Sequence, residues 1–222
     1  MSQTRTVPVV TRRMAIAAGS ALLGSMSSVL PSAPRYSRKS NMSVVDTFIE
    51  RNREFVRTRF SPDLKIMPSL RTIIIGCVDP RVDPAEILGL APGEAAIIRN
   101  VGGRVYPSTL QTMDMLSEVS KASGGFLGAG WNLVLLHHTD CGINRLGHAE
   151  EMLANHFGVA PGKLADLAVT NPSTSIAVDI ASLKEDPRLS GDIIVSGLVY
   201  DVKTGNIATV VPPEALRPKS AA

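Results

Sequence analysis

Four short apolar runs along the chain alternate with segments that have the residue pattern of helices. The apolar runs predict buried strands at Arg71–Cys77, Ala95–Arg99, Trp131–His137 and Ile193–Asp201. The intervening segments predict helices at residues 44–58, 108–123, 144–156 and 174–185. Strands that alternate with helices indicate an α/β fold, in which a mainly parallel β-sheet is flanked by helices on both faces.

Local signals mark helix starts and a reversal of the chain. Residues 43–46 carry a capping-box pattern, and Asp83 followed by Pro84 suits the first turn of a short helix. Near the C-terminus, Lys-Thr-Gly at residues 203–205 separates the last predicted strands, the second of which covers residues 206–211. The sequence therefore predicts a C-terminal antiparallel hairpin at the edge of the sheet.

Basic residues are concentrated at the N-terminus. The first 45 residues contain six basic residues and no acid, whereas the rest of the chain contains 17 basic and 20 acidic residues. The net charge of +3 thus comes from the N-terminal segment, and the remainder has no basic excess that would favour nucleic-acid binding. We predict a leader at residues 1–42, one domain at residues 43–212 and a disordered tail at residues 213–222.

The leader has the composition of a targeting segment. It is rich in Arg and Ser and lacks acids, which is typical of an organellar transit peptide and predicts the mitochondrial matrix. A bacterial export signal, with Arg12 and Arg13 before the apolar residues 14–30, is an alternative, and an untargeted tail on a cytoplasmic protein is another. Ser and Gly interrupt residues 14–30, so that stretch is a poor membrane span.

Both cysteines of the chain directly follow a predicted strand. Cys77 begins the motif Cys-Val-Asp-Pro-Arg, and Cys141 lies in the motif His-Thr-Asp-Cys-Gly that starts at His138. Ligands of parallel sheets bind beyond the carboxyl ends of the strands, where both motifs fall. Two thiolates and one imidazole form a soft three-ligand site suited to one Zn²⁺ per subunit, with a fourth position left for chemistry.

A carboxylate and a guanidinium accompany the first cysteine. Arg81 is the natural partner of Asp79, because a forked guanidinium keeps a carboxylate ionised and oriented. Asp79 then has two possible roles, either as the fourth metal ligand of a closed site or as a hydrogen-bond acceptor beside an open position. The backbone N–H groups of Gly102 and Gly103 are candidates for positioning a substrate.

Other interpretations of these residues remain open. Cys77 and Cys141 are also compatible with inert buried thiols or with a disulfide. We expect His137 to be a structural neighbour of the site, and His148 and His156 to be surface or core histidines on a helix.

The two motifs together resemble the paired signatures of the β-class carbonic anhydrases, particularly the small fungal and actinobacterial members. Cys77-x-Asp79-x-Arg81 and His138-x-x-Cys141-Gly142 carry the resemblance, which extends roughly over residues 43–211. It implies that Zn²⁺ is bound by the two cysteines and His138, that Asp79 and Arg81 form the catalytic dyad, and that CO₂ is reversibly hydrated to bicarbonate. It also implies a homodimer or a larger assembly of dimers.

The chain departs from the family pattern at one position before the first motif. Residues 67–71 contain no Gln, although many members carry one there that contacts the substrate. Two other functions are compatible with the motifs. One is hydrolysis of CS₂ or COS, linear electrophiles that need the same attack, and the other is a non-catalytic, zinc-stabilised binding domain.

Overall fold

The computed structural model describes residues 42–167 and 169–217, and the chain divides into two compact units between Phe60 and Ser61. The predicted leader lies outside the described residues, except for its last residue. In the first unit the described residues form one helix, α1 (Val44–Thr58), which matches the predicted bounds.

Helix α1 begins with the predicted capping box. The Ser43 hydroxyl accepts a hydrogen bond from the backbone N–H of Asp46 at 3.1 Å, and the Asp46 carboxylate accepts one from the Ser43 N–H at 3.0 Å. These bonds satisfy backbone donors that the first helical turn leaves free. None of the α1 residues is buried, and its apolar side chains include the exposed Val44, Phe48 and Ile49.

The second unit contains a sheet with helices on its connections. The elements, in chain order, are β1 (Thr72–Cys77), α2 (Pro84–Ile87), β2 (Ala95–Asn100), α3 (Pro107–Ala122), β3 (Asn132–His138), α4 (Glu150–Phe157), α5 (Pro172–Glu185), β4 (Ile194–Tyr200) and β5 (Ile207–Ala215). Short 3₁₀ helices cover Val101–Gly103, Gly142–Leu146 and Pro161–Leu167. The predicted strands are confirmed, with small shifts at their ends.

The strand order places β1 and β3 side by side in the interior of the sheet. The order is β2-β1-β3-β4-β5, with parallel pairing throughout except for the antiparallel pair β4 and β5. This confirms the predicted α/β fold with its antiparallel C-terminal edge. Because β1 has β2 on one side and β3 on the other, the connections diverge there and leave a crevice at the carboxyl ends of both strands.

The buried core lies along these central strands. Helices cover both faces of a parallel sheet, so its strands carry apolar side chains in both directions. Residues 73–77 of β1 are all buried, and α5 contributes the buried Ile176, Ile180 and Leu183. The core thus fixes the ends of β1 and β3, which hold the predicted metal ligands.

Two predicted boundaries are wrong. The helix expected at residues 144–156 is divided into the 3₁₀ helix at Gly142–Leu146 and α4, with a turn at Gly147 between them. Glycine is a poor helix former, which favours the break. The tail expected from residue 213 instead continues β5 to Ala215, because β5 is an edge strand and its two prolines, at positions 212 and 213, lie where the register with β4 shifts.

Candidate metal centre

Cys77, His138 and Cys141 converge as the sequence predicts. Their ligand atoms all lie within 4.8 Å of one another, and all three residues are buried. Cys77 ends β1 and His138 ends β3, so the neighbouring strands bring the two motifs together. A tight turn at Asp140, whose φ is 52°, then returns Cys141 to the same point. Within residues 42–167 and 169–217, no other such group of His, Cys or acidic residues forms.

The donor atoms of this group fit a tetrahedral zinc ion. The Cys77 and Cys141 sulfurs are 3.7 Å apart, whereas a disulfide bond measures about 2.05 Å, so both cysteines are free thiols. Two thiolates at about 2.3 Å from a tetrahedral zinc would be separated by about 3.8 Å. The Nδ1 of His138 donates to the Thr139 carbonyl at 2.9 Å, and its buried Nε2 has no hydrogen-bond partner among the residues that the structure describes. Nε2 therefore presents its lone pair to the group.

The two thiols already hold one negative charge between them. A hydrogen bond from the Cys141 thiol, with a further one from the Asp79 backbone N–H at 3.5 Å, lowers the pKa of Cys77 to about 4 in spite of its burial. The same bond and burial raise the pKa of Cys141, which keeps its proton. Burial lowers the pKa of His138, but the nearby Cys77 thiolate outweighs this effect and raises it. The negative charge on Cys77 favours the binding of a cation at this group.

A turn formed by two glycines packs against Cys77. Gly102 and Gly103 have φ values of 87° and 67°, which a residue with a side chain rarely adopts. A Cβ on Gly103 would lie 2.9 Å from the Cys77 nitrogen, and the nearby Gly102 N–H helps to lower the pKa of the Cys77 thiol. Both glycines are buried. Their suggested contact with substrate stays a prediction.

Asp79 and Arg81 form the expected pair at the edge of the group. The Asp79 Oδ1 accepts from the Arg81 backbone N–H and Nε at 2.9 and 3.0 Å, and Oδ2 accepts from Nη2 at 2.7 Å. The hydrogen bonds and charge of Arg81 lower the pKa of Asp79 to about 2. Asp79 is not a member of the three-ligand group among the described residues.

Asp140 and Arg99, for which the sequence predicts no role, also hold the loop that follows β1. The Arg81 Nη1 donates to Asp140 at 2.9 Å. Arg99 donates from Nε to the Cys77 carbonyl and from Nη2 to the Asp79 carbonyl, both at 2.8 Å. Asp140 directly precedes Cys141 in the second motif, and Arg99 lies in β2, which pairs with β1. Their closeness to the motifs was the one sequence feature that pointed to a role in the site. The pairing itself spans 59 residues in one case and about 20 in the other.

The remaining histidines lie outside the ligand group. His137 is buried and bonds to Ser175 and to the Gly103 carbonyl, so it is a structural neighbour, as predicted. His148 is exposed, but it lies in the turn before α4, so the expectation that it lies on a helix is wrong. His156 is exposed on α4, and its ring lies 4.0 Å from that of Tyr106.

Comparisons with known proteins agree with this geometry. Residues 72–159 match the family model described as carbonic anhydrase. A crystal structure of a carbonic anhydrase from Streptococcus mutans is 35% identical and has a TM-score of 0.61, covering 77% of this chain and 99% of that one. The β-carbonic anhydrase 1 of Mycobacterium tuberculosis is 26% identical over 77% of this chain and its own full length. A carbon disulfide hydrolase from Saccharolobus solfataricus is 27% identical over 72% of this chain and 85% of its own.

The matched region contains both cysteine motifs and the strands that carry them. The identity to the Streptococcus mutans enzyme extends over nearly all of that protein, and the group of two cysteines and one histidine is the one that the resemblance of the two motifs implied. The chain therefore belongs to the β-class carbonic anhydrase family.

Proposed function

We propose that the protein catalyses the reversible hydration of CO₂ to bicarbonate and a proton. The observation that carries this proposal is the position of Asp79, ionised and held by Arg81, beside a buried group of two thiols and one imidazole. A purely structural metal site has no need of an oriented carboxylate at its edge.

Cys77, His138 and Cys141 would hold one Zn²⁺ per subunit. When bound, the ion supplies a Lewis acid that makes water acidic enough to yield hydroxide near neutral pH. The three side chains would supply three of the four ligands of a tetrahedral zinc ion, and Asp79 is hydrogen-bonded to Arg81 instead of joining them. The arrangement supports an open fourth position, where a reacting water can be placed.

Asp79 acts as a hydrogen-bond acceptor and does not itself become protonated. Because its pKa is about 2, the carboxylate is ionised at neutral pH. Oδ2 accepts one hydrogen bond from Arg81, which leaves a lone pair that can accept the hydrogen of the attacking water. That bond would fix the direction in which the attacking oxygen meets the carbon of CO₂.

Arg81 connects the reacting groups with solvent. Its side chain is 47% exposed, whereas that of Asp79 is 12% exposed, so the pair spans the boundary between the buried ligands and water. Release of bicarbonate and transfer of the proton to buffer therefore occur on this side of the site. The positive charge of Arg81 also favours the anionic product at the exit.

The function is tested by stopped-flow CO₂ hydration on the full chain, with zinc content measured on the same sample. We expect about one zinc per chain and a rate that increases with pH. A protein that contains zinc and shows no hydration above pH 8 would instead be a non-catalytic zinc-stabilised domain.

Hydrolysis of CS₂ is the second candidate function. The similarity to a carbon disulfide hydrolase over 85% of that protein supports it, and CS₂ needs the same attack on a linear electrophile. Measuring CO₂ hydration and sulfide release from CS₂ or COS on one preparation decides between the substrates. Sulfide release with a higher kcat/KM than CO₂ hydration would assign the protein to the second function.

The proposed assembly is a homodimer. None of the described residues of helix α1 is buried, and Phe48 and Ile49 are 58% and 47% exposed. An amphipathic helix gains most of its stability from packing its apolar face. A second copy of the chain would supply that packing, and β2 is an edge strand of the sheet that the described residues form, which offers a further surface for pairing.

A further inference from the structure

A buried cluster of charged side chains lies behind the metal ligands. Arg104 donates from Nε and Nη2 to the two carboxylate oxygens of Asp179, at 2.8 and 3.0 Å. Both side chains are 2% exposed. The His137 Nε2 lies 3.3 Å from the same carboxylate, and its side chain is 3% exposed.

Such a cluster is poorly explained as a source of stability. Removing two charges from water costs about as much free energy as their attraction returns, and apolar replacements of buried ion pairs are often equally stable. A buried ion pair is better explained when it fixes a particular arrangement of the chain. The neighbours of the cluster identify that arrangement.

The cluster holds the Gly102–Gly103 turn from behind. The His137 Nε2 faces the Gly103 carbonyl at 3.1 Å, and both groups near it are acceptors, so this nitrogen carries the hydrogen. The Arg104 backbone N–H donates to the Asn100 side chain at 2.8 Å, which closes the turn on its other side. Ser175 on α5 bonds to the His137 Nδ1 at 2.8 Å and fixes the ring.

The Gly102–Gly103 turn contacts Cys77, one of the proposed metal ligands. Gly103 has no room for a side chain, because a Cβ there would lie 2.9 Å from both the Cys77 nitrogen and the Gly76 carbonyl carbon. The turn is thus packed directly against the backbone that carries the Cys77 thiolate, and the nearby Gly102 N–H helps to lower the pKa of that thiol. The contacts therefore form a continuous path from Asp179 through His137 and the turn to Cys77.

We propose that Asp179 and His137 are positioning residues of the metal centre, which hold the Gly102–Gly103 turn against the backbone of Cys77 and so fix the position of its thiolate. This inference rests on the proposed zinc site but not on CO₂ as the substrate. Groups that orient metal ligands typically change metal affinity by about 10- to 100-fold when they are removed.

The test compares His137→Phe and Asp179→Asn with the matched control Asp186→Asn. Asp186 is also a buried acid paired with an arginine, Arg188, but it lies outside the metal centre. Zinc affinity is measured by chelator competition, and the thiolate-to-metal absorption band is recorded after cobalt substitution. We expect at least a tenfold weaker zinc affinity and a shifted band in both test variants, and neither change in Asp186→Asn.

Thermal unfolding and amide exchange separate positioning from folding. Loss of Gly102 amide protection in metal-free His137→Phe, with folding retained, supports the proposal. Wild-type zinc affinity and an unshifted band in folded His137→Phe overturn it, and this variant decides if Asp179→Asn does not fold. Zinc binding without CO₂ hydration in the wild type would refute the proposed function and leave this comparison valid.

Discussion

Arg81 and Asp140 join the two cysteine motifs directly. The Arg81 Nη1 donates to the Asp140 Oδ2 at 2.9 Å, and its Nη2 donates to the Asp140 carbonyl at 3.0 Å. The same guanidinium binds Asp79, so one side chain connects the loop after β1 with the loop after β3. The orientation of the Asp79–Arg81 pair thus depends on a residue next to a metal ligand.

Asp140→Asn should lower the hydration rate modestly. Asn tolerates the positive φ of this position, so the turn is kept while the negative charge that pairs with Arg81 is lost. Because exposed ion pairs contribute weakly, we expect about a two- to fivefold loss of kcat/KM with unchanged zinc content. Arg145→Gln is the control, since Arg145 is 77% exposed and lies 3.6 Å from the Asp140 carboxylate. An equal effect in both variants would remove Asp140 from the positioning of Arg81.

Asp79→Asn should remove most of the activity and leave the metal in place. The amide cannot form the charged pair with Arg81 and is a weaker acceptor for the attacking water. The rate typically falls by about 10²- to 10⁴-fold when the group that accepts the hydrogen of the reacting water in the transition state is removed. The measurement is stopped-flow hydration with zinc analysis, and Asp166→Asn, at an exposed acid, is the control. An unchanged rate with full zinc content would exclude the carboxylate from the reaction.

Gly103→Ala should weaken zinc binding in addition to lowering the stability of the fold. The new Cβ would meet backbone atoms of Cys77 and Gly76 at 2.9 Å. Gly124→Ala is the matched control, because Gly124 has a φ of 75° and open space around it. We expect the control to lose about 1–2 kcal/mol from backbone strain alone and Gly103→Ala about 1–3 kcal/mol more. Zinc affinity should fall in Gly103→Ala alone, as chelator competition would report.

Zinc affinity should increase with pH. A raised pKa means that Cys141 holds a proton which the metal must displace, whereas the Cys77 pKa of about 4 leaves that sulfur ionised at neutral pH. Each displaced proton steepens the dependence by about tenfold in affinity per pH unit. The raised pKa of His138 adds to this near neutral pH. Chelator competition between about pH 6 and 8, with calorimetry in two buffers to count protons, tests it; a flat profile would contradict it.

Phe48→Glu should dissociate the proposed homodimer. A charge on the exposed apolar face of α1 would be buried without a partner in the assembly, which is strongly unfavourable. Phe126→Glu is the control, since that ring is 61% exposed, close to the 58% of Phe48. Sedimentation velocity should show smaller particles for Phe48→Glu and wild-type particles for Phe126→Glu. A wild-type assembly in both variants would place the interface elsewhere.

Much of the fold follows from local patterns in the chain. The apolar runs at β1 and β3 and the capping box at Ser43 depend on neighbouring residues, so they were predicted within one or two positions. The break before α4 was missed because Gly147 competes weakly with an otherwise helical pattern. The end of β5 was missed because two prolines usually end a strand, and pairing at the sheet edge tolerates them.

The candidate chemistry of this protein follows from local residue patterns. The residue types of the two motifs identify the candidate ligands, and parallel strand ends bring Cys77 close to His138 and Cys141. How those groups are held depends instead on the packing of distant parts of the chain. Arg104 and Asp179 are 75 residues apart, and Arg81 and Asp140 are 59 apart. Such pairs depend on distances that the packing of sheet and helix sets, and no local pattern of residues specifies them.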